Sequence, residues 1–239
     1  MADRAVPSRM KAVTPLDVVP GEPGIILVGG TFDPPHRGHA NLAEAARRSL
    51  GLDGAWLVFV PAGRSPFKQG VAPGTPAHHR VAMVRRAVAG LRRSSVWTDE
   101  VDRQEEGVPS FWVETLRRVR SLVGEDRPVR FLIGADQACG FHRWREPREV
   151  LGLAEATVLP QRECSTAEQL GAALRASGFW SQDDIERWKS RLVRVGVDGV
   201  SSSRVRELLS RGLFDEAAEF LDPGVLGYAR EHGLYRGGG

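Results

Sequence analysis

Short apolar runs alternate with amphipathic helical segments along most of the chain, and this alternation constrains the fold more than any other feature. The runs at 25–28, 55–61 and 129–133 have the length of buried strands and are too short for core helices. Between them, apolar residues recur every three or four positions, as at Val81 and Val84. Strands that alternate with helices in this way predict an α/β fold, a Rossmann-like doubly wound parallel sheet.

The second half of the chain continues the pattern and then changes. Further strands are predicted at 94–101, 156–162 and 191–200, and three short helical pieces follow the last of them. Gly233 followed by Leu234 is typical of a Schellman stop at the end of the final helix. The sequence therefore predicts that the sheet is completed by a small C-terminal helical segment.

These elements define the expected limits of the domain. One domain should span residues 25–235, with its C-terminal helical part at about 201–235. Residues 1–24 contain four prolines and no apolar periodicity, so we expect them to form a disordered extension. No feature of the sequence indicates an oligomeric state.

Composition narrows the function classes. The chain has 239 residues, with 33 Lys and Arg against 30 Asp and Glu, and a net charge of +3 does not favour a nucleic-acid partner. Its two cysteines fit neither a disulfide framework nor a zinc ribbon. Neither a signal peptide nor a membrane-spanning segment is recognisable. We therefore expect a cytoplasmic protein with no membrane partner.

The stretch "GGTFDPPHRGH" follows the first apolar run and has the composition of an anion site. Gly29 and Gly30 leave room for a ligand beside the backbone. A helix predicted to begin near His39 would direct free N–H groups and a positive dipole end at the same place. His36 and His39 can donate hydrogen bonds to phosphate oxygens, and Gly38 between them removes a side chain that would block the approach.

Two other interpretations of the histidine pair remain open at this point. His36 and His39 could cap and pack the start of the helix without binding a ligand. They could also chelate zinc, which requires at least one more ligand nearby. His78 and His79 are the available candidates, but they lie at a predicted helix start, where a solvated face is more typical.

Two motifs together carry a resemblance to a known superfamily. "GGTFDPPHRGH" resembles the first signature of the nucleotidylyltransferases, and "VSSSRVR" at 200–206 resembles their second signature. Five more segments resemble bacterial nicotinate-nucleotide adenylyltransferases, so the resemblance covers about 25–235. These segments are "SPFKQG", "HHRVAMVRRAV", "VPSFWVETLRRV", "FLIGADQACGFHRWREPREVL" and "REHGLY".

The resemblance implies a reaction and a set of site residues. The expected reaction is ATP plus nicotinate mononucleotide giving nicotinate adenine dinucleotide and pyrophosphate in NAD biosynthesis, with Mg²⁺ accompanying ATP and no metal bound by the protein itself. The implied catalytic residues are His36, His39, Lys68 and Arg206. The implied ATP-binding residues are Gly29, Gly30, Thr31, Phe32, Gly38, Gly134, Asp136, Ser202 and Ser203, and Trp112 and Trp144 would contact the mononucleotide.

The sequence departs from the family pattern at two of these segments. Phe67 replaces a loop histidine, which leaves Lys68 as the only cation of that motif. Trp112 stands where the family has a threonine that helps to hold the pyridine carboxylate. The preference for nicotinate over nicotinamide mononucleotide therefore depends on the two tryptophans.

The chemistry of this reaction agrees with the residue types. The attacking phosphate monoester has its second pKa near 6, so it is largely dianionic at neutral pH and requires no general base. The difficulty lies in bringing two anions together and stabilising the charge on the departing pyrophosphate. Cations, hydrogen-bond donors and Mg²⁺ serve that purpose, and no covalent nucleophile is implied.

Other functions remain possible from the sequence alone. The chain could be a different nucleotidylyltransferase, with nicotinamide mononucleotide or a pantetheine phosphate as acceptor, or a cytidylyltransferase. A class I aminoacyl-tRNA synthetase fragment carries a similar histidine motif, but the chain has no lysine pair in "SSSRVR". A nucleotide sensor that keeps the fold without catalysis is the third alternative.

Overall fold

A single parallel sheet forms the centre of the protein. The structure, a computed structural model, describes residues 13–18, 23–64, 74–104, 109–161, 164–196 and 199–236. All strand pairs are parallel, and the order β3-β2-β1-β4-β5 reverses direction between the adjacent strands β1 and β4. The strands are β1 (Ile25–Gly30), β2 (Trp56–Pro61), β3 (Ser94–Val96), β4 (Val129–Gly134) and β5 (Glu155–Leu159). The predicted Rossmann-like doubly wound fold is confirmed.

Helices connect the strands and follow the last of them. In the part of the chain that the structure describes, the α-helices are α1 (Arg37–Ser49), α2 (Ala77–Ala87), α3 (Asp99–Asp102), α4 (Trp112–Val123), α5 (Ala135–Cys139), α6 (Pro147–Leu153), α7 (Ala167–Ala176), α8 (Gln182–Ser190), α9 (Ser202–Ser210), α10 (Phe214–Ala218) and α11 (Pro223–Glu231). A short 3₁₀ helix, Phe141–Arg143, lies between α5 and α6. None of the described helices is long and apolar enough to cross a membrane.

Both faces of the sheet are covered, as expected for strands with continuous apolar sequence. Ile25 and Leu27 of β1 face a core that includes residues of α4 to α8, whereas Ile26 and Val28 face a second core with residues of α1 and α2. This division follows from the period of two along a strand. The carboxyl ends of β1 and β4, where the strand order reverses, therefore open between two packed layers, which is where ligands of such sheets bind.

The C-terminal helical segment has a core of its own, and its prediction from sequence is confirmed. Met83 of α2 packs with Val205 and Leu208 of α9 and with Val225 of α11. The last helix ends in the predicted Schellman motif: the N–H groups of Leu234 and Gly233 donate to the carbonyls of Ala229 (2.8 Å) and Arg230 (3.2 Å). Gly233 has a φ of 61°, which a glycine adopts without strain.

Two strand predictions failed over most of their length, and the predicted strand 156–162 ends at Leu159. The predicted strand 94–101 ends at Val96, and α3 begins at Asp99, because buried Asp99 is paired with Arg103 and Arg118 rather than exposed beside an edge strand. The predicted strand 191–200 is reduced to one parallel bridge. Around that bridge the described backbone makes two hydrogen bonds to Val158, so the segment adds no sixth strand to the described sheet.

Part of the N-terminal extension packs on the domain, which the sequence did not predict. Residues 13–18 have no regular secondary structure, as expected. The backbone N–H of Thr14 nevertheless donates to Asp99 Oδ1 (3.1 Å), and its carbonyl accepts from Trp97 Nε1 (2.9 Å). Leu16 packs against the core beside α4 to α8. Disorder in the remainder of the extension stays a prediction, since most of it lies outside the described residues.

Candidate active site

The glycines that end β1 make room for aromatic rings. A Cβ on Gly29 would lie 2.9 Å from two ring atoms of Trp112, and a Cβ on Gly30 would lie 3.0 Å from the ring of Phe32. Real Cβ atoms essentially never show a contact as short as that at Gly29, so this position requires glycine, whereas at Gly30 the ring of Phe32 would have to shift by a few tenths of an ångström. In this structure the rings of Trp112 and Phe32 occupy the space beside these glycines, and the expected approach of a ligand to the backbone stays a prediction.

Helix α1 begins earlier than the sequence predicts, and this places both histidines in its first turn. The helix starts at Arg37 rather than near His39, and His36 is its N-cap with extended backbone (φ −125°, ψ 167°). The backbone N–H of His36 donates to Nδ1 of His39 (3.0 Å), which closes the first turn with a side chain. Gly38 between them is buried. Helix capping and an anion site are therefore compatible uses of the pair.

His39 is held as a neutral hydrogen-bond donor. Because its Nδ1 accepts a hydrogen bond, the proton of the neutral ring is on Nε2. Burial, followed by the charge of His36, lowers the pKa of His39 from 6.5 to about 3. The ring centroid of His39 lies 3.8 Å from that of His36 and 4.9 Å from that of Phe32, which accounts for the desolvation. At neutral pH, His39 can thus donate from Nε2 but carries no charge.

The two signature motifs lie in direct contact, although they are far apart in sequence. Ser202 Oγ donates to the carbonyl of Pro34 (2.9 Å), and Arg206 Nη1 donates to the carbonyl of Asp33 (2.6 Å). Ser201 caps α9, and its Oγ accepts from the N–H of Arg204 (3.2 Å). The N-terminus of α9 therefore faces the segment that leads into α1, as the anion-site hypothesis requires.

Arg206 has a structural contact that the sequence did not predict. Besides its bond to the carbonyl of Asp33, its Nη2 donates to Ser203 Oγ (3.0 Å). The guanidinium therefore connects α9 to the first motif through contacts within the protein itself. The role of Arg206 as a phosphate contact stays a prediction. The contacts in the structure add a second role, the positioning of the first motif.

Arg80 is a buried cation that sequence analysis did not assign to the site. It is 1% exposed and donates to the carbonyls of Thr31 (2.8 Å), Thr75 (3.2 Å) and Gly63 (3.4 Å). Burial lowers its pKa, and the charge of Asp33 acts in the opposite direction. Arg80 thus joins the ends of β1 and β2 to α2. The signal was visible in "HHRVAMVRRAV", a segment noted for resemblance alone.

Tyr235 is a second residue that was missed. Its hydroxyl donates to Asp33 Oδ1 (2.7 Å), and Asp33 is only 5% exposed. Burial raises the pKa of Tyr235 above its usual range, so the phenol keeps its proton and remains a donor. The Schellman turn at Gly233 reverses the chain and brings Tyr235 back to the first motif. The signal in the sequence was the "HGLY" ending.

The predicted ATP residues on β4 lie at the neighbouring strand end. Gly134 closes β4, and Asp136 is exposed in the first turn of α5. A Cβ on Gly134 would overlap Asp136 Oδ1, so the carboxylate folds back over the strand end. Asp136 is therefore exposed beside the carboxyl end of β4, the strand next to β1 at the reversal point of the sheet.

The two tryptophans predicted to contact the mononucleotide lie in different surroundings. Trp112 contacts Gly29 of β1 and forms an edge-on pair with Phe131 of β4 (6.1 Å between centroids), so it spans the reversal point of the sheet. Its buried Nε1 has no hydrogen-bond partner in the part of the chain that the structure describes. Trp144 follows the 3₁₀ helix and packs on Phe141 (4.6 Å). Binding of the mononucleotide by either ring stays a prediction.

The remaining residues singled out in the sequence either lie outside the described residues or contact other parts of the protein. Lys68 and Phe67 lie outside the described residues. His79 Nδ1 is 2.9 Å from the hydroxyl of Tyr228, so this histidine packs on α11. In the described residues, no group of three or more His, Cys, Asp or Glu side chains could hold a metal ion. The zinc interpretation of the histidines therefore gains no third ligand from that part of the chain.

Known proteins resemble this chain over most of its length. A family model described as cytidylyltransferase-like matches residues 27–208. The chain is 36% identical over 217 residues to "Probable nicotinate-nucleotide adenylyltransferase" of Hahella chejuensis, covering 88% of this chain and 95% of that protein. It is 34% identical over 222 residues to the protein of the same name from Stenotrophomonas maltophilia, covering 88% and 96%.

A solved structure supports the fold. Nicotinic acid mononucleotide adenylyltransferase of Plasmodium falciparum, complexed with NaAD, superimposes with a TM-score of 0.62 at 16% sequence identity, covering 89% of this chain and 97% of that one. At this identity, the comparison concerns the fold alone. The extent of the family match and the identity to the two bacterial relatives show that the chain belongs to the cytidylyltransferase-like family and, within it, to the nicotinate-nucleotide adenylyltransferases.

Proposed function

We propose that the protein transfers the adenylyl group of ATP to nicotinate mononucleotide, giving nicotinate adenine dinucleotide and pyrophosphate. The observation that carries the proposal is the contact of the two signature motifs, through Ser202 with Pro34 and Arg206 with Asp33, at the reversal point of the sheet. The choice of acceptor is supported by the names of the bacterial relatives, which align over nearly their whole length.

The proposed chemistry is a direct displacement at phosphorus. A phosphate oxygen of the mononucleotide forms the new bond to the α-phosphorus of ATP, and the bond to pyrophosphate breaks. The nucleophile is already deprotonated at neutral pH, so no residue has to remove a proton. His39 donates from Nε2 to a phosphate oxygen without changing its protonation state, and the N-termini of α1 and α9 supply further N–H groups.

The remaining roles of site residues are also proposals. His36 and Arg206 would contact the triphosphate, Lys68 the same phosphates, and Asp136 the ATP ribose. Trp144 would stack on the pyridine ring, since a flat aromatic ligand favours such a partner. Trp112 would offer its free Nε1–H to the acceptor from the crevice between β1 and β4.

We further propose that Mg²⁺ takes part as a component of the substrate. Magnesium binds phosphate oxygens and keeps several of its waters, so it arrives with ATP and neutralises charge that the protein donors do not reach. The proposed location is cytoplasmic, because the two cysteines of the chain do not fit the disulfide framework of a secreted protein. Small molecules are the proposed partners, since a net charge of +3 does not favour nucleic acid.

The experiment compares acceptors with purified protein, ATP and Mg²⁺. Pyrophosphate release and dinucleotide formation are measured with nicotinate mononucleotide, nicotinamide mononucleotide and 4′-phosphopantetheine. We expect the highest kcat/KM with nicotinate mononucleotide. Equal values for the two mononucleotides would indicate dual specificity, and turnover with 4′-phosphopantetheine alone would refute the proposal. ATP binding with no turnover on any acceptor would instead favour a sensor.

A variant tests the role of the histidine. His39→Ala should lower kcat on the order of 10²–10³-fold, the cost of removing one transition-state donor. The matched control is His78→Ala, which removes an exposed imidazole outside the two signature motifs and should leave kcat unchanged. Near-normal kcat in a folded His39→Ala protein would exclude the donor role.

A further inference from the structure

Two cysteines far apart in sequence meet beside the predicted ATP crevice. Cys139 is the last residue of α5, and Cys164 lies in the segment after β5. Their Sγ atoms are 3.7 Å apart, and both are free thiols. A disulfide requires about 2.05 Å between the sulfurs, so they would have to approach by roughly 1.7 Å.

Each thiol belongs to an element that forms one side of the strand end at Gly134. Helix α5 begins directly after Gly134 and carries Asp136 in its first turn. On the other side, Gln161 and Cys164 exchange two backbone hydrogen bonds of 3.0 Å each. The amide Nε2 of Gln161 would lie only 3.1 Å from a Cβ on Gly134. A bond between the sulfurs would therefore connect α5, which carries Asp136, to the segment after β5.

The two thiols differ in exposure, which assigns them different chemical roles. Burial, together with the hydrogen bond to Cys139, raises the pKa of Cys164 to about 12. Cys164 is 5% exposed, whereas Cys139 is half-buried and can be reached by a small oxidant. Cys139 is therefore the thiol that reacts first, and Cys164 is placed to resolve the product.

We propose that Cys139 and Cys164 form a reversible redox site that hydrogen peroxide or an organic hydroperoxide converts to a disulfide. The Cys139 thiolate attacks the peroxide oxygen, giving a sulfenic acid and, from hydrogen peroxide, hydroxide. Cys164 then attacks the Cys139 sulfur, the S–S bond forms, and the sulfenic oxygen leaves as water. The net reaction converts two thiols and one hydrogen peroxide to one disulfide and two waters, or, with an organic hydroperoxide, to one disulfide, one alcohol and one water, and a thiol reductant reduces the disulfide again.

The disulfide should impair the ATP side of the site. Because α5 is short and continuous with β4, pulling Cys139 toward Cys164 displaces the turn that carries Asp136. A displacement of about 1 Å can cost up to roughly 100-fold in rate, so we expect a loss on the order of tenfold in kcat/KM for ATP. This kinetic consequence rests on the proposed adenylyl transfer, whereas the oxidation itself does not.

The test uses the full chain, with and without hydrogen peroxide. Free thiols are titrated with a chromogenic disulfide under denaturing conditions, and non-reducing peptide mapping locates the bond. We expect both thiols to disappear, a linked Cys139–Cys164 peptide to form, and dithiothreitol to restore the thiols and the activity. The matched controls are Cys139→Ser and Cys164→Ser, which cannot form the disulfide. Their kinetics with ATP should be the same before and after a peroxide treatment that is sufficient to oxidise the wild type.

Two results would overturn the inference. Two titratable thiols after peroxide treatment would exclude the redox site. A mapped disulfide with unchanged ATP kinetics would exclude its effect on the crevice. If neither the reduced nor the oxidised protein turns over any acceptor, the proposed function fails. The affinities of both forms for a non-hydrolysable ATP analogue are then compared, and a difference between them shows that the disulfide acts on the ATP side of the site.

Discussion

His39 should remain neutral well below the pH at which a free histidine becomes charged. Its neutrality should be measurable as a pH dependence of the free energy of unfolding. Its pKa is lowered to about 3 in the folded protein, against 6.5 for an ordinary histidine. Between these two values the unfolded chain binds a proton that the folded protein does not. Stability therefore falls as the pH drops below about 6.5, and the loss grows until the pH reaches the folded value.

The magnitude follows from the two pKa values. One pKa unit corresponds to about 1.4 kcal/mol, so lowering the pH to about 5, some 1.5 units below the unfolded pKa, should remove roughly 2 kcal/mol of unfolding free energy. This is a large part of the total stability of a typical domain, which is about 5–15 kcal/mol. His39→Asn keeps an uncharged donor and should lack this part of the pH dependence.

Urea unfolding at pH of about 7.5 and 5, followed by circular dichroism, measures the difference. Wild type should lose about 2 kcal/mol more than His39→Asn between the two conditions, and the exposed His78→Asn control should behave as wild type. Imidazole NMR signals of His39 should not titrate above pH of about 5 in the ligand-free protein. A titration of His39 near pH 6.5, or equal pH dependence in wild type and His39→Asn, would refute the neutral-donor argument.

Two further substitutions test the contacts around the first motif. Tyr235→Phe removes the donor to Asp33 and should cost about 1 kcal/mol of stability and lower kcat/KM in a protein with an unchanged circular dichroism spectrum. Unaltered kcat/KM would show that this contact does not position the motif. Gly29→Ala places a Cβ 2.9 Å from the ring of Trp112 and should lower the free energy of unfolding in urea by about 1–3 kcal/mol. The control Gly90→Ala places a Cβ with no atom within 4 Å and should lower it far less. Equal losses in the two variants would refute the steric explanation.

The local pattern of the sequence was enough to predict the fold. Short continuous apolar runs are recognised from neighbouring residues, and so are the alternation of strand and helix and the stop at Gly233. Its failures were at 94–101 and 191–200. In the first, α3 begins where Asp99 is buried and paired with Arg118, a residue from another helix. A pairing between distant residues leaves no periodic signal in the sequence.

For the candidate site, too, local sequence predicted some features and could not predict others. The sequence predicted His36 and His39 as donors to phosphate, because a strand, glycines and a helix start in that order are typical of an anion site. That role stays a prediction. It could not show that His39 is neutral, since its pKa depends on the surrounding rings of Phe32 and His36. It also left Arg80 without a role, because the carbonyls that Arg80 holds are contributed by three separate segments.

The sequence by itself therefore determined the class of fold, the family resemblance and the residues that are proposed to contact the phosphates, all of which are encoded in short contiguous motifs. Only the tertiary structure decided that Arg206 and Tyr235 hold the first motif from the C-terminal segment, and that Cys139 and Cys164 lie 3.7 Å apart. The physical reason is that hydrogen bonds, burial and thiol proximity depend on distances through space, which packing sets and local periodicity does not contain.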